Sequence, residues 1–163
     1  APCRQAVYES DNELAKRMNQ EIESKSLSIQ SLLIRDKIRE VDECLNGNGI
    51  RPKIYESHPE FCFKNLNGSV LQSRKSTLLG VEERLNVINQ YEPQQVSHFH
   101  EIIKTTKRKD VKKDDVLDAI CLCLTNVLAI ENDLSFLSDE NRLDEMGIEM
   151  KIGKLKSSTD KDI

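Results

Sequence analysis

Residues 50–68 read IRPKIYESHPEFCFKNLNG. Ile54 and Tyr55 are β-branched and aromatic and come just after the turn-forming Asn46-Gly47-Asn48-Gly49, so 53–56 predicts a strand. Ser57 suits a helix N-cap, and Pro59 falls in the first turn, where its missing N–H costs nothing. A short helix over 58–65 is expected next, closed by Asn67-Gly68. Helical patterns lie on both sides of this strand, as they do around a strand in an α/β sheet. A lone strand cannot satisfy its backbone groups. Its neighbours are therefore expected upstream of Ala1 or from a second copy in a homo-oligomer, unless 53–56 is not a strand.

Outward from this stretch, the helical period dominates. Leu14, Met18 and Ile22 recur every four residues over 11–23, behind Asp11 or Asn12 as N-cap. Ser28 can cap a helix over 28–46, whose Ile29, Leu32, Leu33, Ile38, Val41 and Leu45 share the helical spacing. Further helices are predicted over 76–91, 93–106 and 113–131. In the last, Leu117, Ile120, Cys121, Leu124 and Leu128 form the predicted buried face. Gly147–Ile152 alternates enough for an edge strand. The expected organisation is one domain over 1–155 and a polar tail over 156–163.

The chain has 163 residues, enough for one sizeable core. With 24 Lys and Arg against 28 Asp and Glu, its net charge is −4. That excludes a generally basic nucleic-acid coat but not a local basic patch. Aromatics are 4% with no Trp, which argues against a stacking platform for single strands. No apolar run is long enough to span a membrane, and the start shows no signal-peptide pattern. The five cysteines, Cys3, Cys44, Cys62, Cys121 and Cys123, have no metal or redox spacing, and predict reduced thiols in the cytoplasm.

Glu56 would stand at the carboxyl end of its strand, the edge where α/β sheets bind ligands. Asp115 and Asp118 are three apart on one helix face, with Asp114 beside them. Carboxylates converging from a strand end and a helix start would make an oxygen-rich site for a hard cation such as Mg²⁺. Two ions about 4 Å apart could then activate water for phosphodiester cleavage. Spacing alone favours a plainer account: Asp114 and Asp115 as caps, Glu56 as a surface residue. Asp118 points the other way, because it lies a full turn inside the helix. His58 could act as general base or touch a phosphate, although a histidine near a helix start more often bonds to backbone. Lys104, Lys107, Arg108, Lys109, Lys112 and Lys113 precede the acids. They read as contacts for a nucleic-acid backbone or as a solvated charge run.

IYESHPEFCFKNLNG at 54–68 and KDDVLDA at 113–119 resemble the signature of domain-of-unknown-function family 429, a group of predicted RNase H-like nucleases. APCRQAVY at 1–8, LSIQSLLIRDKIREVDE at 27–43 and SRKSTLLGVEERL at 73–85 resemble family segments in the same order. The resemblance covers about residues 1–130. It implies an α/β, RNase H-like fold with helices flanking a sheet. Glu56, Asp115 and Asp118 would supply metal ligands, with Asp114 as a fourth, for Mg²⁺ or Mn²⁺. The superfamily's first-strand Asp and its Gly-rich hairpin would lie before Ala1, so this chain would hold the fold without its N-terminal strands. Ser24-Lys25-Ser26 stands where a Gly-Lys turn is expected, and the basic stretch 104–113 is longer than usual.

The expected function is therefore metal-dependent phosphodiester hydrolysis, with Glu56, His58, Asp115 and Asp118 catalytic. Lys107, Arg108, Lys109, Lys112 and Lys113 would hold the backbone. The alternative is a non-catalytic binding or regulatory module that uses the acids and the basic patch without turnover. A phosphoryl-handling enzyme of the sugar-kinase type is a third reading, but these residues contain no Gly-rich phosphate loop.

Overall fold

The structure, a computed structural model, describes residues 2–46, 54–132, 134–137 and 143–156. The packing forms two compact units, Ala1–Ile54 and Tyr55–Ile163. Helices dominate, with one small three-stranded mixed sheet.

The first unit contains α1 (Arg4–Tyr8), α2 (Asn12–Glu23), α3 (Ile29–Leu33) and α4 (Arg35–Asn46). Asp11 caps α2 as expected, its side chain accepting from the Leu14 N–H at 2.7 Å. Ser28 caps α3 through the Ser31 N–H. The predicted continuous helix over 28–46 instead breaks at Ile34. Just after the break, the guanidinium of buried Arg35 bonds to the Glu9 carbonyl and to Asn12 Oδ1. The fully buried face of α2 is Ala15 and Asn19; of the predicted stripe Met18 packs, partly buried, against that cluster, while Leu14 and Ile22 are exposed. Small Ala15 packs closely with Cys3, Ala6 and Leu27. Asn19 accepts from Cys3 N and donates to the Lys25 carbonyl. Ser24 closes α2 with φ 57°, in the left-handed region that favours glycine.

The second unit contains β1 (Glu56–Ser57), α5 (Pro59–Asn67), α6 (Leu78–Tyr91), α7 (Pro93–Thr105), α8 (Lys113–Asn132), β2 (Leu134–Phe136) and β3 (Ile152–Leu155). Its core joins Phe63, Ile88, Phe99, Leu117 and Cys121, all almost inaccessible to solvent. Around this core α8 packs against α5, α6, α7 and β3. Leu117, Ile120 and Cys121 are buried as predicted; Leu124 and Leu128 are half-buried against the core. Pro59 is the first residue of α5, and Gly68 closes it at φ 73°. The cap position belongs to His58 rather than Ser57. Ser57 is in the sheet, where its hydroxyl donates to the Gly153 carbonyl at 2.7 Å. With that proton committed, the Cys62 thiol is the donor in its 3.2 Å contact with Ser57 Oγ.

The sheet order is β1-β3-β2. β1 runs parallel to β3, with Glu56 opposite Ile152 and Ser57 opposite Gly153. β2 is antiparallel to β3 on its other side. One partner for β1 thus comes from this chain itself, where neighbours were expected upstream or in a second copy; among the described residues β1 is the edge of the sheet. The predicted edge strand over 147–152 is also displaced. Strand β3 begins at Ile152 and is central, while Asp144 Oδ1 accepts from Met146 N and Ile148 N and holds a tight turn before it. Of the predicted strand 53–56, residue 53 lies outside the described residues and only Glu56 is in β1. Residues 157–163 of the predicted tail also lie outside the described residues. Among the described residues no helix is long and apolar enough to cross a membrane. All five cysteines are free thiols.

Leu117→Ala should lower the unfolding free energy by roughly 2–5 kcal/mol, because a fully buried leucine leaves a cavity among α5, α6 and α8. Ile130→Ala, on the exposed face of the same helix, should change it by less than about 0.5 kcal/mol. Equal losses in urea denaturation would contradict this packing.

Candidate functional site

The site begins with the first turns of α8. Asp114 and Asp118 are four apart and face the same cation. Lys75 Nζ donates to Asp118 Oδ2 at 2.9 Å and stands 3.8 Å from Asp114 Oδ2. The hydrogen bond to Asp118 is the main reason the Lys75 ammonium titrates above its ordinary value. A lysine raised in the folded state contributes stability below its unfolded pKa. That contribution is lost as pH rises through the folded one, so the pair is intact throughout the neutral range.

Lys75 is delivered by the segment between α5 and α6, and that segment is fixed at many points. Glu83 accepts from the Gln72 and Ser73 N–H groups, both at 2.8 Å, and these bonds hold its carboxyl below the usual value. Thr77 caps α6 through the Gly80 N–H and donates to the Arg74 carbonyl. At Gly80 a Cβ would lie 2.0 Å from the Arg74 carbonyl oxygen, so no side chain fits without moving the segment. Beneath it lies Arg84, its side chain only 3% exposed. Arg84 binds both Glu60 oxygens at 2.7 Å through Nη2, and the Ser73 and Gly80 carbonyls through Nη1. Its guanidinium also lies over the Phe63 ring of α5.

Beyond Lys75 opens a groove of about 690 Å³, lined by Lys75, Ser76, Thr77, Arg108, Lys112, Lys113 and Asp114 together with apolar Leu78, Val81, Ile103 and Val111. Arg108, Lys112 and Lys113 form no ion pair among the described residues. Lys107 and Lys109 are exposed in the turn before α8 and do not line the groove.

Asp115 does not join the Lys75 cluster. It lines a separate, mostly apolar groove of about 550 Å³ between α7 and α8, beside Val116, Ala119 and Cys123. Glu56 is exposed in β1, and His58 is exposed with its ring edge-on to Phe61. The His58 carbonyl, not its imidazole, starts α5 by accepting from Phe61 N and Cys62 N. Among the described residues no three His, Cys, Asp or Glu side chains form a group able to hold a metal ion. The acids that the structure brings together are therefore Asp114 and Asp118, rather than Glu56, Asp115 and Asp118.

Two observations bear on whether a divalent ion fits here. Asp118 Oδ1 is buried with no hydrogen-bond partner, and the Lys75 ammonium already occupies the cation position between the two carboxylates. Mg²⁺ is commonly held by one or two carboxylates and completes its shell with water and substrate phosphate. Two carboxylates, one of them hydrogen-bonded to Lys75, stand at the low end of that donor set.

The model of the family described as "Protein of unknown function (DUF429)" matches residues 1–142. The chain belongs to this family. No curated protein and no solved structure matches it. Within the matched residues, Glu60 has a structural role absent from the sequence reading: it anchors Arg84. Lys75, Gly80 and Arg84 lie in SRKSTLLGVEERL, but contacts of Lys75 across 43 residues and of Arg84 across 24 leave no periodic trace.

Glu60→Gln should leave the Arg84 guanidinium buried without its counter-charge. It should lower stability by roughly 3 kcal/mol, the low end for breaking a buried pair, since Glu60 itself reaches solvent. A change below about 0.5 kcal/mol in chemical denaturation would show that the pair does not hold the segment.

Proposed function

We propose that this chain carries the metal and backbone sites of a metal-dependent nuclease of RNase H-like architecture. The observation that carries the reading is the Asp114–Asp118 pair, facing a cation at the rim of a basic groove. Asp118, with its partnerless buried oxygen, and Asp114 would hold Mg²⁺ or Mn²⁺. A bound ion would activate water and stabilise the leaving oxygen of a phosphodiester. Arg108, Lys112 and Lys113 would hold the phosphates as point contacts, and Lys107 and Lys109 would extend the field along the turn. The groove has no aromatic lining, so recognition would rest on the backbone rather than on stacked bases. Glu56, Asp115 and His58 stand outside the cluster. In this reading any role they have in the reaction depends on substrate, or on a neighbouring chain segment, bringing them in. The five free thiols agree with a cytoplasmic protein.

A second reading, a binding or regulatory module without turnover, is favoured by one observation. Lys75 already neutralises the acids, and no third carboxylate completes the group among the described residues. The two readings share the metal and the groove and differ in hydrolysis.

Asp118→Asn distinguishes metal binding from simple helix stabilisation. Millimolar Mg²⁺ or Mn²⁺ should raise the melting temperature of the wild-type chain by linkage and should leave Asp118→Asn unchanged. Metal-dependent cleavage of a labelled oligonucleotide by the wild type, lost in Asp118→Asn, supports the nuclease. Binding without cleavage supports the module. An equal metal response in both proteins would overturn the site.

A further inference from the structure

We propose that the groove between α7 and α8 docks an amphipathic helix of a partner protein, apolar along one face and basic at both ends. This groove is separate from the one beside Lys75, and the inference does not rest on the metal reading.

The α8 wall of the groove presents Asp115, Ala119, Cys123 and Val127, four residues apart and so on one stripe, all of them exposed. The outward stripe of a helix on a protein surface is ordinarily polar. Here only its first member is charged, and Ile130, 80% exposed, carries the apolar surface one turn further. Ile120 and Leu124 line the groove more deeply, and Ile102 of α7 stands on the opposite wall. The rise from Asp115 to Val127 is about 18 Å, the length of roughly three helical turns. An exposed apolar patch rimmed by polar residues marks a protein contact, and a groove of this length matches the apolar face of a helix.

Charge selects the partner. Glu92 and Asp115 are the charged residues that line the groove, and both are acidic. Neither forms an ion pair among the described residues. Glu92 stands at the N-cap of α7, yet its side chain caps nothing. Helices joined by a connection as short as 106–112 run antiparallel, so Glu92 at the start of α7 and Asp115 in the first turn of α8 mark opposite ends of the groove. A helix with Lys or Arg near each end would meet a carboxylate at both, while its apolar stripe covers the track between them. Other occupants meet the wrong charge. A second copy laying its own groove here would bring acid against acid across an apolar contact, and an anionic membrane surface would meet the same carboxylates.

The probe is a pair of fluorescently labelled peptides of about four helical turns with the same leucine stripe. One carries lysine near each end and the other glutamate. Each is titrated with the full chain and followed by anisotropy. The lysine peptide should bind saturably and at least about tenfold more tightly than the glutamate peptide at low salt, and the difference should shrink as salt is raised. Val127→Asp, with Ala119→Asp as a second variant, puts a charge on the apolar track at an exposed position. Each should weaken the lysine peptide by about tenfold or more while leaving the melting temperature of the chain unchanged. Glu92→Gln combined with Asp115→Asn should remove the preference between the peptides. Equal binding of both peptides to wild type, binding of neither, or a lysine peptide indifferent to both apolar-track variants would overturn the proposal. A dimer in sedimentation that Val127→Asp dissociates would overturn it too, since the groove would then be a contact between copies of this chain.

Discussion

The guanidinium of Arg84 is the fixed point of the second unit. It is almost fully buried, and its donors are matched to both oxygens of Glu60 and to the Ser73 and Gly80 carbonyls. A buried charge is costly unless it is paired and its protons are satisfied. Here both conditions are met by one carboxylate from the first turn of α5, the Ser73 carbonyl of the segment leading into α6, and the Gly80 carbonyl in the first turn of α6. The pair is therefore better understood as specifying an arrangement than as adding stability. It ties the start of α5 to the segment carrying Lys75. Glu83 and Gly80 complete the constraint from the α6 side. Lys75 is left with a rigid main chain and an ammonium that reaches the first turns of α8.

That placement explains how an acidic chain can present a basic groove. The net charge of −4 is spread over the whole sequence, whereas Arg108, Lys112 and Lys113 gather on one wall. The acids most relevant to that wall, Asp114 and Asp118, are already faced by Lys75. The field at the groove is then set by Arg108, Lys112 and Lys113, with the Lys75 ammonium held against the acids.

Much of the helical frame was legible in the sequence because its signals are local. Asp11 and Ser28 act on N–H groups three residues ahead, and Pro59 and Gly68 bracket α5 where their backbone preferences require. Leu117, Ile120 and Cys121 follow the helical period into the core. Leu14, Ile22, Ile29 and Leu33 follow it as well, yet they are exposed, since periodicity marks a face without saying what covers it. The sheet was not legible. β1 has two residues, and its partner β3 is joined to it by a hydrogen bond across 96 positions. The acidic site was half legible. Asp118 stood out as a carboxylate too deep in its helix to be a cap. The choice between Asp114 and Asp115 as its companion depends on the position of Lys75, which no spacing within α8 encodes.

The central claim is that Asp114 and Asp118 face Lys75 at the rim of the basic groove and are the carboxylates a divalent ion would take in the proposed function. A crystal of the full chain soaked in MnCl₂ and measured for manganese anomalous scattering addresses it directly. The account predicts an anomalous peak in coordination contact with an Asp118 carboxylate oxygen. No peak at the acids, with Lys75 still bonded to Asp118 at saturating metal, would contradict it.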